Sequence, residues 1–251
     1  MKLNRTALRT IQIMSFVSEN PNGVSLDQIC DALSLPKTSA YDIVSTLVET
    51  KMLQVAYRQK MVYLLSVGAY RIGAAYRNNF DYLRSFEDVL FPLADELKKT
   101  VFYAVQNDMS VVYLIKCEPM QPIITTGRVG GTNPLGCTAL GKAILSALPD
   151  GERDALLARM RLQAHTEYTV TDKAALLADV LRSRERGYAL EVRELSIHGA
   201  CVSAPVFGAE GHVIGAISAS DLYYPGEDLD AVGHRMREVA QRLSSIAGYL
   251  P

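Results

Sequence analysis

The chain has 251 residues and a formal net charge of -1, and 49% of its residues are apolar. This length allows one large domain or two ordinary ones, and the near-neutral charge gives no overall signal for nucleic acid or a membrane. No apolar run reaches the roughly 18 residues that a membrane span requires. The cysteines lack the Cys/His spacing of zinc sites, so we expect a reduced, cytoplasmic setting and no cofactor. They are Cys30, Cys117, Cys137 and Cys201.

The charge is unevenly distributed. Residues 1–66 carry seven Lys/Arg and five Asp/Glu, whereas the remainder carries 19 and 22. A basic end is weakly indicative of a module that contacts DNA.

Three helices are predicted near the N-terminus. In "TALRTIQIMSFVSEN" the apolar residues recur at helical spacing; they are Leu8, Ile11, Met14 and Val17. Ser25 and Gln28 form a capping-box pattern that opens the second helix, "LDQICDAL". Pro36 suits the first turn of the third helix, "KTSAYDIVSTLVETK".

The third helix has two distinct sides. One is expected to be buried, with Ala40, Ile43, Val44 and Leu47. The other is expected to be exposed, with Lys37, Thr38, Ser39, Tyr41, Asp42 and Ser45. Two helices across a short turn form a helix-turn-helix, whose second helix can enter the major groove of DNA.

Two β-prone runs follow and flank residues 57–60, which predicts a hairpin wing with Arg58 and Lys60 at its tip. The segment therefore reads as a winged helix-turn-helix over residues 1–66. The candidate DNA-binding residues are Lys37, Thr38, Ser39, Tyr41, Ser45, Arg58 and Lys60. Asp42 is awkward on this face because a carboxylate repels phosphates, although it could accept from a cytosine amino group. A three-helix structural or protein-binding module remains an alternative.

Residues 67–99 have helical character interrupted by Pro92. We predict a linker helix near 67–79 that joins the two modules, and a separate helix near 82–99. Ala69, Ile72, Ala75 and Tyr76 could form a stripe on the linker that faces a partner, and packing within the chain is the alternative interpretation. The domain boundaries that follow are 1–66, 67–80 and 81–251.

Strands and helices alternate in the remainder. The predicted strands cover 101–106, 110–117, 122–128, 200–208 and 212–220, the last two joined by "AEG" as a hairpin. The predicted helices lie near 151–160, 173–186 and 226–248, in addition to one that follows the loop at 131. Hairpins with helices on their faces indicate an α+β domain around a largely antiparallel sheet.

The stretch "GTNPLGCTALGKAIL" resembles an enzyme's loop. It is not a phosphate-binding P-loop, because that pattern would here end in Gly-Lys-Ala instead of Gly-Lys-Ser/Thr. Thr138 can cap the following helix, which leaves the N–H groups of Ala139 and Leu140 unpaired at its N-terminus. Free N–H groups and the helix dipole together make a site for an anion.

The alternative chemistry is a cysteine nucleophile. It would require a base that lowers the thiol pKa, and His198, the nearest candidate to Cys201, is poorly placed for that. Ser218 and Ser220 lie two apart on one strand and share a face, which either lines a pocket or is solvated. Glu191 and Glu194 fall in a predicted polar loop, where most carboxylates are solvated.

Three segments together resemble the IclR (isocitrate lyase regulator) family of bacterial transcription factors. They are "SLPKTSAYDIVSTLVETKML", "GRVGGTNPLGCTALGKAIL" and "RGYALEVRELSIHGACVSAPVFGAEGHVIGAISAS". The resemblance covers nearly the whole chain in the right order. It implies an N-terminal winged helix-turn-helix, a linker helix used in dimerisation and a C-terminal effector domain resembling the GAF fold.

The resemblance also implies partners and a site. Family members usually dimerise through the DNA-binding end, often form tetramers through the effector domains, and respond to small organic or aromatic acids. A two-fold dimer is expected to bind a palindromic double-stranded DNA operator. The implied effector-binding residues are Thr125, Asn133, Leu135, Ala139, Leu140, Glu191, Cys201, Ser218 and Ser220. A repressor controlled by such an acid is the leading hypothesis; the alternatives are an enzyme with an accessory helix-turn-helix and a scaffold without a DNA target.

This chain departs from the family pattern at two positions. Gly136 replaces the usual His after "PL", and Glu191 stands where many members have Asp. The missing side chain at 136 is expected to leave space at the pocket mouth, which would favour a larger acid, such as an aromatic one.

Overall fold

A computed structural model describes residues 3–57, 60–122 and 127–250. The chain divides into two compact units, Met1–Asp81 and Tyr82–Pro251. In the part of the chain that the structure describes, no helix combines the length and the apolar character needed to cross a membrane.

The first unit is a winged helix-turn-helix followed by one more helix. Its elements are α1 (Arg5–Glu19), α2 (Leu26–Leu33), α3 (Lys37–Glu49), β1 (Leu53–Tyr57), β2 (Met61–Leu65) and α4 (Val67–Asn78). β1 and β2 pair antiparallel, with Tyr57 opposite Met61. The predicted helices and the wing are therefore present.

The caps of the first unit follow the sequence pattern. The Ser25 hydroxyl accepts from the Gln28 N–H at 3.3 Å, and the Gln28 side-chain oxygen accepts from the Ser25 N–H at 2.9 Å. This confirms the predicted capping box. Pro36 is the N-cap of α3, one position before the first turn that was predicted for it.

The apolar stripe of α1 is only partly buried. Ile13 and Val17 lie in the core of the unit, whereas Leu8 and Ile11 are exposed, Ile11 by 63%. The sequence pattern predicted that Leu8, Ile11 and Val17 lie on one apolar stripe of the helix. The helix instead divides its apolar residues between the core and the surface.

The second unit is built on a six-stranded antiparallel sheet with the strand order β5-β4-β3-β8-β7-β6. Its elements are α5 (Tyr82–Leu97), β3 (Thr100–Asn107), β4 (Ser110–Cys117), β5 (Thr132–Pro134), α6 (Ala139–Ala147), α7 (Asp150–Arg159), α8 (Lys173–Arg186), β6 (Ala189–Val192), β7 (Gly199–Phe207), β8 (Val213–Leu222) and α9 (Leu229–Ile246). This confirms the α+β class and the β7–β8 hairpin.

α5 covers most of the helix predicted near 82–99 and continues through Pro92. The carbonyl left without its N–H partner belongs to Asp88, which is exposed. β5 and β6 were not predicted, since three or four residues show too little alternation. Most of the predicted strand at 122–128 lies outside the described residues.

The two faces of the sheet have different partners. Phe102, Ala104 and Ala216 lie in one apolar cluster with Leu140 and Ile144 of α6. On the opposite face, the Tyr103 ring meets the Phe86 ring of α5 edge-on, with centroids 5.1 Å apart. The sheet is thus buried on both sides, and the face toward α6 carries the candidate effector residues.

Candidate DNA-binding and effector-binding sites

The α3 helix presents one free side. Ala40, Ile43, Val44 and Leu47 are buried, as predicted. Thr38, Tyr41 and Ser45 are exposed on the other side. A helix anchored by one face and solvated on the other has the arrangement that a recognition helix needs.

Two predicted contacts on α3 are already occupied by other side chains. The Lys37 ammonium lies 2.7 Å from the Asp27 carboxylate, which holds the pKa of Asp27 below its usual value. Ser39 is half-buried, although exposure was predicted, and its hydroxyl accepts from the Arg9 guanidinium at 3.2 Å. The sequence analysis did not place Arg9 beside α3, because only tertiary packing brings α1 next to that helix.

The wing is described except at its tip. Arg58 lies outside the described residues. Lys60 is exposed, and so is Tyr57 at the end of β1. Tyr57 was not among the predicted contacts.

The N-terminus of α6 has the predicted geometry. The Thr138 hydroxyl caps the helix by accepting from the Gly141 N–H at 3.0 Å and donates to the Pro134 carbonyl at 3.0 Å. The N–H groups of Ala139 and Leu140 have no acceptor among the described residues. Both residues are buried, so these donors lie inside the unit.

The serines of β8 share the face toward α6. Ser218 lies opposite Phe102 of β3, and Ser220 lies opposite Cys201 of β7. The Ser220 hydroxyl is 3.1 Å from the Cys201 sulfur, while the buried Ser218 hydroxyl has no hydrogen-bond partner among the described residues. Ser218 is itself buried, with only 1% of the residue exposed, so the solvated-strand interpretation is wrong for Ser218.

Glu191 is not in a solvated loop. It belongs to β6, opposite Cys201, and is buried. Its carboxylate accepts from the N–H groups of Glu194 at 2.7 Å and Leu195 at 3.2 Å. Burial raises the pKa of the Glu191 carboxyl, and these two backbone bonds oppose the shift.

A tyrosine of β4 belongs to the same region and was missed. The Asn133 amide donates to the Tyr113 hydroxyl at 2.7 Å, and Tyr113 lies opposite Ala104 on the face toward α6. Leu135 is fully buried in the apolar cluster beside it. Thr125 lies outside the described residues.

The thiols of this region are unsuited to nucleophilic attack. Burial raises the pKa of Cys137 to about 11, and burial also raises the pKa of the Cys201 thiol. Only a thiolate is a strong nucleophile. His198, the base considered for Cys201, is exposed in the turn before β7.

A buried ion cluster attaches α6 to neighbouring segments. The Lys142 ammonium contacts the Asp179 carboxylate at 2.7 Å and also the Glu194 carboxylate, and its side chain is only 1% exposed. Glu194 is buried as well, contrary to the predicted solvated loop. Lys142, which belongs to the Gly-Lys pair of the loop motif, therefore attaches α6 to α8 and to the turn after β6. The comparison with the P-loop pattern did not indicate this role.

Gly136 lies close to the side chains of α8 and of the segment that follows α7. A Cβ at this position would have as its nearest atoms Leu162 Cδ2 at 2.8 Å, Leu176 Cδ2 at 3.4 Å and the Met160 sulfur at 3.7 Å. These residues belong to the apolar cluster that also contains Leu135 and Leu140. The expectation that Gly136 leaves space for a larger acid stays a prediction.

A separate groove of about 490 Å³ lies between the ends of α6 and α8 and the side of α9, and none of the candidate effector residues lines it. Its Arg184 guanidinium is occupied by the backbone carbonyls of Ser146 and Leu148. The groove is therefore separate from the predicted effector residues.

A winged helix-turn-helix followed by an antiparallel α+β unit is typical of DNA-binding transcription regulators. Two family models match the chain: the IclR helix-turn-helix domain over residues 6–55 and the bacterial transcriptional regulator IclR C-terminal domain over residues 74–245. The chain belongs to the IclR family of transcription regulators.

Three known proteins illustrate the relationship. The regulator KdgR of Escherichia coli is 26% identical over 97% of this chain and 93% of its own length. The repressor AllR of Escherichia coli is 26% identical over 96% of this chain and 89% of its own. The crystal structure of an IclR homolog from Microbacterium hydrocarbonoxydans, complexed with 4-hydroxybenzoate, has a TM-score of 0.77 at 18% identity and covers 96% of this chain and 98% of that one.

Proposed function

We propose that this regulator is a cytoplasmic, dimeric repressor that binds a palindromic operator through residues 1–66 and is controlled by a small carboxylic acid held in residues 81–251. The observation that carries the effector role is a set of buried hydrogen-bonding groups without partners. These are the Ala139 and Leu140 N–H groups and the Ser218 hydroxyl. Such groups are rare in native proteins and require an explanation.

The DNA-binding role is assigned to α3 and the wing. Thr38, Tyr41 and Ser45 would face the bases, while Lys60 and Arg58 would contact phosphates. Lys37 would have to leave Asp27, and both side chains are well exposed, so this ion pair is easily exchanged for a phosphate. Arg9 joins the set, because its contact with Ser39 places a second cation beside the N-terminal end of α3.

Dimerisation is supported by apolar side chains that the first unit leaves exposed. Of the predicted stripe on α4, Ile72, Ala75 and Tyr76 are exposed and Ala69 is half-buried, which argues against the alternative that the stripe packs within the unit. On α1, Leu8 and Ile11 are exposed as well. A two-fold dimer reads a palindrome because each copy contacts one half-site. Association of effector units into a tetramer follows only from the family resemblance.

The effector role is assigned to the space between α6 and the sheet. A carboxylate would accept from the Ala139 and Leu140 N–H groups, which carry the positive end of the helix dipole. Ser218, Ser220 and Cys201 would complete the polar lining, and Leu135 and Phe102 the apolar wall. The bound 4-hydroxybenzoate of the Microbacterium homolog supports an acid of this kind.

We propose that the acid is bound without being converted. The relatives are named as transcription regulators. The Cys137 and Cys201 thiols are protonated at neutral pH because burial raises their pKa values. Binding energy then goes into shifting the protein between states with different affinities for DNA.

The wing cations provide a test of DNA binding. Replacing Arg58 and Lys60 together by Ala should weaken binding to promoter duplexes of every sequence and lower the slope of log K against log salt by about one unit per lost phosphate contact. Fluorescence anisotropy between 50 and 200 mM salt, roughly, measures this. Arg242→Ala, which removes an exposed cation from α9, is the control and should leave the slope unchanged. Equal slopes in wild type and the double variant would refute the wing contact.

The β8 serines provide a test of acid binding. Changing Ser218 and Ser220 together to Ala should reduce affinity for the acid by roughly 1–3 kcal/mol, since two hydrogen bonds are lost. Calorimetry with 4-hydroxybenzoate as the first probe measures the change, and DNA binding without acid should be unaffected. Unchanged affinity in the double variant, or steady consumption of the acid by wild type, contradicts the proposed function.

A further inference from the structure

A polar row crosses four neighbouring strands on the face toward α6. Thr100 of β3 lies opposite Ser220 of β8, Ser220 lies opposite Cys201 of β7, and Cys201 lies opposite Glu191 of β6. Directly opposed residues of an antiparallel pair project from the same face of the sheet. All four side chains therefore share one face.

The side chains at one end of the row have hydrogen-bond partners, whereas the side chain at the other end has none among the described residues. Glu191 is fixed by two backbone N–H groups, and Cys201 and Ser220 are 3.1 Å apart. At the far end the Thr100 hydroxyl, in a residue only 2% exposed, has no partner among the described residues. The unpaired Ser218 hydroxyl, in a residue 1% exposed, lies diagonally across from Thr100 on the same face.

The nearby ion cluster does not account for Thr100. The Lys99 ammonium is already bound by the carboxylates of Asp221 at 2.7 Å and Glu227 at 2.6 Å. Asp221 follows Ser220 on β8, so its side chain projects from the other face of the sheet. Thr100 therefore projects from the face that carries Ser218 and Ser220, opposite to the side chain of Asp221.

Two unpaired hydroxyls at one place destabilise the empty protein, because each was removed from water without gaining a bond. We infer that Thr100 is a further effector contact and that Thr100 and Ser218 together bind a second polar group of the acid. This inference rests on the proposed function, which places the carboxylate at Ala139 and Leu140. The effector class is then an acid with a second hydrogen-bonding oxygen, such as a hydroxy acid, and not an unsubstituted monocarboxylate.

The first experiment is Thr100→Val, which keeps the branched shape and removes the hydroxyl. We expect the melting temperature of the acid-free protein to rise, because an unpaired polar group is lost, and affinity for a hydroxylated acid to fall about ten-fold. A hydroxyl with a structural role would instead lower the melting temperature. Thr100→Ser, which keeps the hydroxyl, is the control and should retain most of the affinity. A lower melting temperature for Thr100→Val overturns the inference.

The second experiment compares acids that differ by one hydroxyl, with 4-hydroxybenzoate against benzoate and lactate against propanoate as probes. Wild type should bind the hydroxylated member of at least one pair about ten-fold more tightly, and Thr100→Val and Ser218→Ala should each reduce that preference. An acid that binds wild type and Thr100→Val equally, but loses affinity in the Ser218/Ser220 double variant, leaves the proposed function standing and overturns this inference. If no acid binds wild type, the proposed effector role fails, and the inference fails with it.

Discussion

Replacing Lys142 by Met is expected to lower the free energy of unfolding of the second unit by about 3–5 kcal/mol. The substitution removes the one ammonium that contacts both Asp179 and Glu194. Two carboxylates then remain at a largely buried position without it, and an uncompensated buried charge is strongly unfavourable. Urea denaturation of the full chain, followed through the transition of the second unit, measures the loss.

Arg182→Met is the matched control for this substitution. Arg182 contacts the same Asp179 carboxylate at 3.2 Å, but its side chain is 62% exposed. An exposed ion pair contributes at most about 1 kcal/mol, so Arg182→Met should have little effect on stability. If the two variants lost equal stability, the burial of Lys142 would not be the decisive factor.

Lys142→Met should also affect the effector site. Glu194 binds Lys142 through its carboxylate, and its backbone N–H donates to the Glu191 carboxylate. Loss of the ammonium frees the segment that positions Glu191, so acid affinity should fall together with stability. Arg182→Met should leave that affinity unchanged.

The second large effect is expected for Gly141→Ala. A Cβ at this position would overlap the carbonyl oxygen and carbon of Leu135, which are backbone atoms and cannot rotate away. α6 would have to move off the loop that carries Leu135, and we expect a loss of about 3 kcal/mol or more. Thermal and urea unfolding of the full chain measure it.

Gly151→Ala makes the same chemical change, but it is expected to raise the stability of the protein. Gly151 is also helical, in α7, and its Cβ would have no atom within 4 Å. Ala is preferred over Gly in a helix by roughly 0.5–1 kcal/mol, so this variant should be more stable than wild type. A destabilisation of equal size at both glycines would show that contact with Leu135 is not the cause.

The sequence alone determined the secondary structure wherever a local physical rule applies. Helical periodicity identified α1 and α3, and the Ser25–Gln28 pair identified the start of α2. Thr138 predicted the N-terminus of α6, because a hydroxyl before a helix satisfies its free N–H groups. The spacing of Ser218 and Ser220 placed both on one face, since side chains alternate along a strand.

The motifs identified the family from the sequence alone. Each short segment is weak alone, but three of them in the right order over nearly the whole chain are specific, and the two family models match the same regions. The resemblance also placed Cys201 and Glu191 in the effector site, although local reasoning assigned Glu191 to a solvated loop. That assignment failed because β6 has only four residues and therefore little alternation to detect.

Only the tertiary structure decided which polar groups are paired. Lys142, Asp179 and Glu194 are far apart in the chain and meet because α6, α8 and the turn after β6 pack together. Whether Gly136 borders the effector site depends on where α7 and α8 lie. Thr100 joins Ser220 only through the register of β3 against β8. Periodicity and capping depend on neighbours within a few residues, whereas burial and hydrogen-bond pairing depend on contacts between distant segments, which no local pattern encodes.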